Sequence, residues 1–219
     1  MELDLEGKHA ERAYAVLASL VTPRPIAWVT TMNPDGALNA APFSFFNLLG
    51  AEPPILGFCP GDRDDGMPKD TARNIRLTQE FVVNLVDEDL AEAMNKTAAT
   101  LPYGTSELEH AGLTTAPSSL VKPPRIAEAP ASLECQEWGT LQIGGNRLII
   151  GLIKRVHVRD ELFDAEDTPE EYLGGHGPRT PDQLQDLVPG IDDILVSELD
   201  RHQVCVDRVD DRIRSLSIQ

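Results

Sequence analysis

Cysteine is scarce in this sequence. Cys59, Cys135 and Cys205 lie far apart and form no C-x-x-C pair. That spacing excludes a disulfide framework and a cysteine zinc site. Cys59 and Cys135 sit in apolar, strand-like runs, where a free thiol packs as a small hydrophobe. Basic residues are also few: 19 Lys and Arg face 36 Asp and Glu, for a net charge of −17. Such a field repels phosphate backbones and disfavours nucleic acid as a partner. The acids are densest at 160–167, 170–171 and 207–211, and a solvated surface accounts for them. No apolar run approaches the ~20 residues of a membrane span. The charged start MELDLEGKHAER has no signal-peptide core. The expectation is a cytoplasmic protein with no membrane partner, its thiols kept reduced.

Familiar catalytic signatures are missing too. There is no G-x-G-x-x-G, no P-loop lysine motif and no G-x-S-x-G elbow. His157, His176 and His202 lack H-x-x-x-H or H-E-x-x-H spacing, so no metal site is expected. His157, in a late strand, reads as core or interface, with a ligand-facing role as the alternative. His176, between glycines, reads as a loop residue.

What is present is a series of short strands. Residues 12–20 have helical apolar spacing, ended by Pro23 and Pro25. Residues 26–32 (IAWVTTM) read as a strand, and Asn33-Pro34-Asp35-Gly36 as a turn. Residues 37–49 form a second extended segment, expected to kink at Pro42. Residues 54–59 read as a third strand and 60–68 as a loop. A helix is expected at 69–78, capped by Asp70 or Thr71. Residues 81–86 read as a strand, 88–99 as helix and 103–109 as loop. Strands follow at 132–138, 140–143 and 148–159, with a hairpin turn at Gly144-Gly145-Asn146. In the last strand Ile153, Val156 and Val158 alternate with charged residues. The fold class is mainly β with peripheral helices, in a barrel or sandwich. Beyond about residue 165 the texture changes. A short helix at 191–199 and a strand at 203–209 are expected in a C-terminal extension, 166–219, that packs on the domain or on a partner subunit.

Three segments carry more chemistry than a core requires. In TPRPIAWVTT, Arg24 stands between two prolines that stiffen the chain before a strand. A guanidinium fork held there matches phosphate oxygens, with a plain surface arginine as the alternative. In NAAPFSFFN, polar Asn39 and Ser44 alternate with Phe43, Phe45 and Phe46. A planar heteroaromatic ligand needs such edge donors and apolar walls. At least one of those phenylalanines belongs to the core. In KDTARN, Lys69 and Thr71 stand at a helix N-terminus, whose free N–H groups attract phosphate. Asp70 there suits a cap, or an acceptor for ligand hydroxyls.

In order, these segments resemble the flavin-reductase-like FMN-binding family. The shared pattern is P-R-P-I-A-W-V-T-T, then N-x-A-P-F-S-F-F, P-P-I-L-x-F, K-D-T-x-x-N and E-F-V-V-N, running from Thr22 to Asn84. The later G-N-R-L-I-I-G-x-I pair is also similar, so the likeness spans 17–163. It implies a split β-barrel related to the pyridoxamine-phosphate-oxidase type, occupying 1–165, that forms a homodimer with FMN near the interface. Carried across, Thr30 and Thr31 lie on the strand beside the flavin. Asn39, Ala41, Pro42, Ser44 and Phe45 lie along its ring. Lys69, Thr71 and Asn74, with Asp70 beside them, lie near the phosphate and ribityl chain, and Arg24 is a further phosphate partner. The stretch 172–176 departs from the arginine- and glycine-rich close of many members.

The implied activity is an NAD(P)H-dependent flavin reductase, passing hydride from NADH or NADPH to the flavin. The flavin carries that chemistry itself, so no catalytic side chain is expected. Reduced flavin would serve a monooxygenase partner or another acceptor. Two alternatives stand beside it. One is a flavin-binding electron carrier without nicotinamide turnover. The other is an FMN enzyme acting on a small organic substrate.

Overall fold

The computed structural model describes residues 2–63 and 65–162. The expected C-terminal extension, including the helix at 191–199 and the strand at 203–209, lies outside them, as do His176, His202 and Cys205. The described residues fall into two units, the N-terminal segment up to Arg24 and a body from Pro25 onward. The N-terminal unit contains helix α1 (Ala13–Leu20).

The body is a seven-stranded antiparallel sheet. Its strands are β1 (Ala27–Met32), β2 (Leu38–Phe43), β3 (Phe46–Ala51), β4 (Pro54–Phe58) and β5 (Glu80–Asn84), with β8 (Ala131–Ile143) and β9 (Asn146–Val158). A short pair, β6 (Thr115–Ala116) and β7 (Arg125–Ile126), stands apart. Helices α2 (Asp70–Thr78), α3 (Ala91–Lys96) and α4 (Glu107–Ala111) complete it.

The strand order is β2-β1-β5-β8-β9-β4-β3. The two end strands, β2 and β3, are separated in the chain only by Ser44 and Phe45. A residue spans at most about 3.6 Å, so the two edges of the sheet must meet. The sheet therefore curls into a barrel, split where β2 passes into β3. The kink falls at Ser44–Phe45 and not at Pro42. Pro42 sits inside β2 opposite Trp28, and β2 pairs on one side only. An edge strand tolerates the missing N–H of proline.

Alternation along β1 buries both of its faces. Ala27 and Val29 join Phe43, Leu56, Phe58, Phe81, Val83, Cys135 and Ile149 inside the barrel, where Ala72 and Ile75 of α2 also pack. Trp28 points the other way, into a second cluster with Ala40, Leu108 and Ile126. There the Trp28 indole N–H donates to Thr97 Oγ1 at 2.8 Å. Of the three phenylalanines after Asn39, Phe43 is in the core and Phe46 packs against it, while Phe45 is 43 % exposed.

Other expectations shift. Residues 132–143 form one long strand with bulges near Glu134 and Glu137, not two strands. The stretch 103–109, expected as loop, contains the start of α4, whose Glu107 and Leu108 are buried. Val156 and Val158, which alternate with charged residues along β9, are exposed. Strand β4 pairs with β9 only as far as Leu152, and beyond it β9 pairs with β8 alone.

Candidate functional site

The site is built where the N-terminus of α2 meets β1 and β2. Lys69 is the N-cap, in extended conformation and without a side-chain cap bond. Neither Asp70 nor Thr71 caps the helix, because both side chains are engaged elsewhere. Asp70 Oδ1 accepts from Arg63 Nη2 at 2.5 Å. Thr71 Oγ1 accepts from Asn39 Nδ2 at 2.9 Å. The first bond of the helix runs from Arg73 N–H to Lys69 O, so the N–H groups of residues 70–72 have no acceptor within the helix. The helix dipole adds partial positive charge at that end.

Behind this end lies a buried polar network. Asn39 Nδ2 also donates to Thr31 Oγ1 at 3.3 Å, and Asn74 Nδ2 donates to the same hydroxyl at 3.1 Å. The Tyr103 hydroxyl donates to Asn74 Oδ1 at 3.2 Å, and its ring lies under the Arg73 guanidinium. Four polar residues from β1, β2 and α2 are thereby fixed at 6 % exposure or less. Buried polar groups need such mutual satisfaction, and each satisfied pair restricts the others.

In front lies an open cleft of about 120 Å³. Asn39, Ala41, Pro42 and Phe43 form one wall, and Arg63, Lys69, Asp70 and Thr71 form another. The segment 97–101 and Glu107 close the remainder. Lys69 Nζ lies 5.7 Å from the centre of the Phe43 ring. The cleft thus joins an apolar strand surface to a cationic, N–H-rich helix end. That donor set fits a ligand with a flat apolar body and a phosphate. A phosphate-bearing flavin is a ligand of that kind.

The predicted residues divide into groups. Asn39, Ala41, Pro42, Lys69, Asp70 and Thr71 line the cleft, and Thr31 and Asn74 lie directly behind it. Thr30 faces the opposite side of β1. Its hydroxyl donates to Pro124 O at 2.6 Å and accepts from Asn84 Nδ2. Strand alternation puts neighbours on opposite faces, so Thr30 and Thr31 cannot both face one ligand from β1. Ser44 and Phe45 form the bend between β2 and β3 and are not part of the cleft lining. Arg24 belongs to the N-terminal unit, where its guanidinium donates to Ala18 O and Val21 O at the end of α1.

Sequence reasoning missed Arg63 and Glu107. Arg63 lies in a loop crowded with Gly, Asp and Pro. Its signal was its place as a cation shortly before the K-D-T motif. Glu107 is 5 % exposed, and its Oε2 accepts the Ala40 N–H of β2 at 3.0 Å. Burial raises its pKa, opposed by the backbone N–H groups of Ala40 and of Glu107 itself. Asp70 raises it further and Arg63 lowers it. Nothing local in S-E-L-E-H announces a buried carboxylate.

Known proteins share this architecture. The family described as "Flavin reductase like domain" matches residues 19–176. A protein of Halalkalibacterium halodurans is 44 % identical over 179 residues, covering 79 % of this chain and 86 % of its own. The crystal structure of nitrilotriacetate monooxygenase component B from Bacillus cereus is 34 % identical with a TM-score of 0.72, covering 79 % of this chain and 88 % of that one. The 2-nitrobenzoate 2-nitroreductase NbaA of Pseudomonas fluorescens is 35 % identical with a TM-score of 0.68, covering 76 % and 80 %. Likeness over this span takes in every strand of the barrel and every wall of the cleft, and the chain belongs to the flavin reductase-like family.

Proposed function

We propose that this protein binds FMN in the cleft before α2 and reduces it with NADH or NADPH. The observation that carries the reading is the union of Asn39, Thr71 and Lys69 with the apolar wall 41–43 in one cleft. When bound, the flavin supplies the hydride-accepting chemistry. The chain's own part is to hold the phosphate at Lys69 and the α2 terminus and to present a dry strand surface to the ring. Family membership and the likeness to a monooxygenase component B support delivery of reduced flavin to a monooxygenase. The 35 % identity to a nitroreductase favours a second reading, in which reduced FMN stays bound and acts on a small organic substrate.

The same proposal includes a homodimer. Enclosing pockets for ligands of this size measure roughly 300–1,000 Å³. The cleft of about 120 Å³ is smaller, so one chain would leave much of a flavin uncovered. Leu48 and Leu49 of β3, Trp138, Leu141 and Ile143 of β8, and Val156 of β9 are exposed apolar residues available to a second copy.

Rapid mixing of the flavin-loaded protein with NADH and with NADPH tests the reading. Loss of the flavin absorbance within a turnover time is expected with at least one. A flavin that stays oxidised with both would refute the reductase. Light scattering in solution should give twice the 24.0 kDa chain mass.

A further inference from the structure

The cleft holds four ionisable side chains: Arg63, Lys69, Asp70 and Glu107. Arg63 and Asp70 pair with each other at 2.5 Å. Among the described residues, Glu107 has no ion-pair partner within 4.0 Å, and it is held by backbone N–H groups alone. Formally the cleft carries two positive and two negative charges, which sum to zero. A phosphate dianion entering it meets a carboxylate that no cation neutralises directly.

Resting on the proposed FMN reading, we infer that Glu107 couples flavin binding to proton uptake: a phosphate-bearing flavin in the cleft makes the Glu107 carboxylate take a proton from solvent. The bond to Ala40 N–H uses Oε2, so a proton on the other oxygen leaves the β2 anchor in place. One O–H bond forms, the proton comes from water or buffer, and no other bond changes. Helix α4 packs on β2 and α3. Strand β2 has no ionisable residue, and on α3 Glu92 and Lys96 pair with each other at 3.0 Å on the surface. The helix's own Glu109 and His110 complete the set on α4. The charges of the cleft that act on Glu107 are Asp70, which raises its pKa, and Arg63, which lowers it, together with the incoming phosphate; Lys69 lines the same cleft. Burial already favours the neutral acid, and a second negative charge nearby pushes further the same way. The chain thereby avoids holding an uncompensated carboxylate beside a dianion.

Titration calorimetry on the full-length protein at pH 7, in two buffers of different ionisation heat, reads the proton count directly. FMN should bind with net proton uptake and riboflavin, which has no phosphate, with none. The phosphate's own second pKa lies near 6, so the 31P shift of bound FMN is read alongside: a dianion signal leaves the proton on Glu107, and a monoanion signal at pH 7 overturns the inference. In Glu107→Gln the uptake should vanish. Its FMN affinity should rise about three- to tenfold as one like charge is removed, while riboflavin affinity stays within about twofold. Equal proton counts for wild type and Glu107→Gln overturn the inference, as does equal uptake with riboflavin. If Glu107→Gln does not fold, the wild-type difference between FMN and riboflavin decides, and zero or net release overturns it. Failure of both flavins to bind sinks the FMN reading itself, a result distinct from binding without proton uptake.

Discussion

Asn39 Nδ2 donates to Thr71 Oγ1 at 2.9 Å, and this bond joins strand β2 to the first turn of helix α2 across 32 residues of chain. The same nitrogen reaches Thr31 on β1, so both amide hydrogens are used inside the protein. The apolar wall and the cationic helix end are separate in sequence, and Asn39 fixes their spacing. Asn39→Ala should lower stability by about 1–3 kcal/mol, because buried hydroxyls lose their donor. A shift of the urea midpoint with unchanged slope would be its mark. Binding of FMN and of riboflavin should weaken together, since the wall moves for both.

Lys69 makes a different prediction. It is exposed at the N-cap of α2, and its ammonium lies near Phe43. It can serve a phosphate without serving the fold. Lys69→Ala should weaken FMN binding by about tenfold, as expected for loss of a charge-assisted hydrogen bond, and leave riboflavin nearly unchanged. Thr71 should behave otherwise. Its hydroxyl is 1 % exposed and committed to Asn39, so Thr71→Ala should weaken both flavins alike. Fluorescence-quenching titrations with the two ligands measure this, and equal loss for both in Lys69→Ala would move the phosphate elsewhere.

The strands were legible because β-branched and aromatic runs are local signals: AWVTTM and EFVVN need no partner to be recognised. The place where the barrel splits was not, since Pro42 is the stronger local breaker. Only the pairing of Pro42 with Trp28 on an edge strand keeps it in β2. The motif K-D-T-x-x-N marked the N-terminus of α2, but the partners of Asp70 and Thr71 come from other segments. Glu107 was invisible for the same reason, as its bond to Ala40 spans 67 residues. The polar look of 103–109 concealed a helix whose buried face is set by β2.

Gly151 tests barrel closure. A Cβ there would meet Phe81 Cζ at 2.4 Å and Cys135 Cβ at 3.3 Å. Phe81 is fully buried and lies against Phe58, with ring centres 5.5 Å apart and planes tilted by 60°, so it has little room to retreat. Gly151→Ala should cost about 1–3 kcal/mol, in the range of core overpacking. Chemical denaturation reads it. A neutral effect would mean that the Phe81 ring rearranges freely.

Cys135 lies on the same inner surface, fully buried, and desolvation pushes its thiol pKa far up. Cys59 is raised by burial too, with a smaller opposing bond from Arg147 N–H. The reactive species is the thiolate. Iodoacetamide at pH 8 should therefore leave Cys135 unlabelled in the folded protein and label it in urea, as read by peptide mass spectrometry. Rapid labelling of the native protein would mean that the barrel opens locally.

Glu134 gives a pH dependence with a definite sign. Its carboxylate is fully buried on β8 and clamps the segment between β6 and β7, accepting from Ser119 N–H at 2.7 Å and Leu120 N–H at 2.6 Å. His157 Nε2 of β9 lies 2.5 Å from its Oε1. Burial alone would raise the pKa, but these hydrogen bonds outweigh it and hold the carboxyl below its ordinary value. A carboxylate whose folded pKa is depressed binds its proton more readily when unfolded. Its stabilising contribution is full above the unfolded pKa and is lost as pH falls through the folded one. Glu134→Gln keeps the shape but removes the charge and one acceptor. It should destabilise the protein at pH 7, and the gap to wild type should close as pH drops below the normal glutamate range. Urea melts of both proteins across pH 3–7 measure that gap; one that stays constant with pH would mean the Glu134 carboxylate contributes through shape alone.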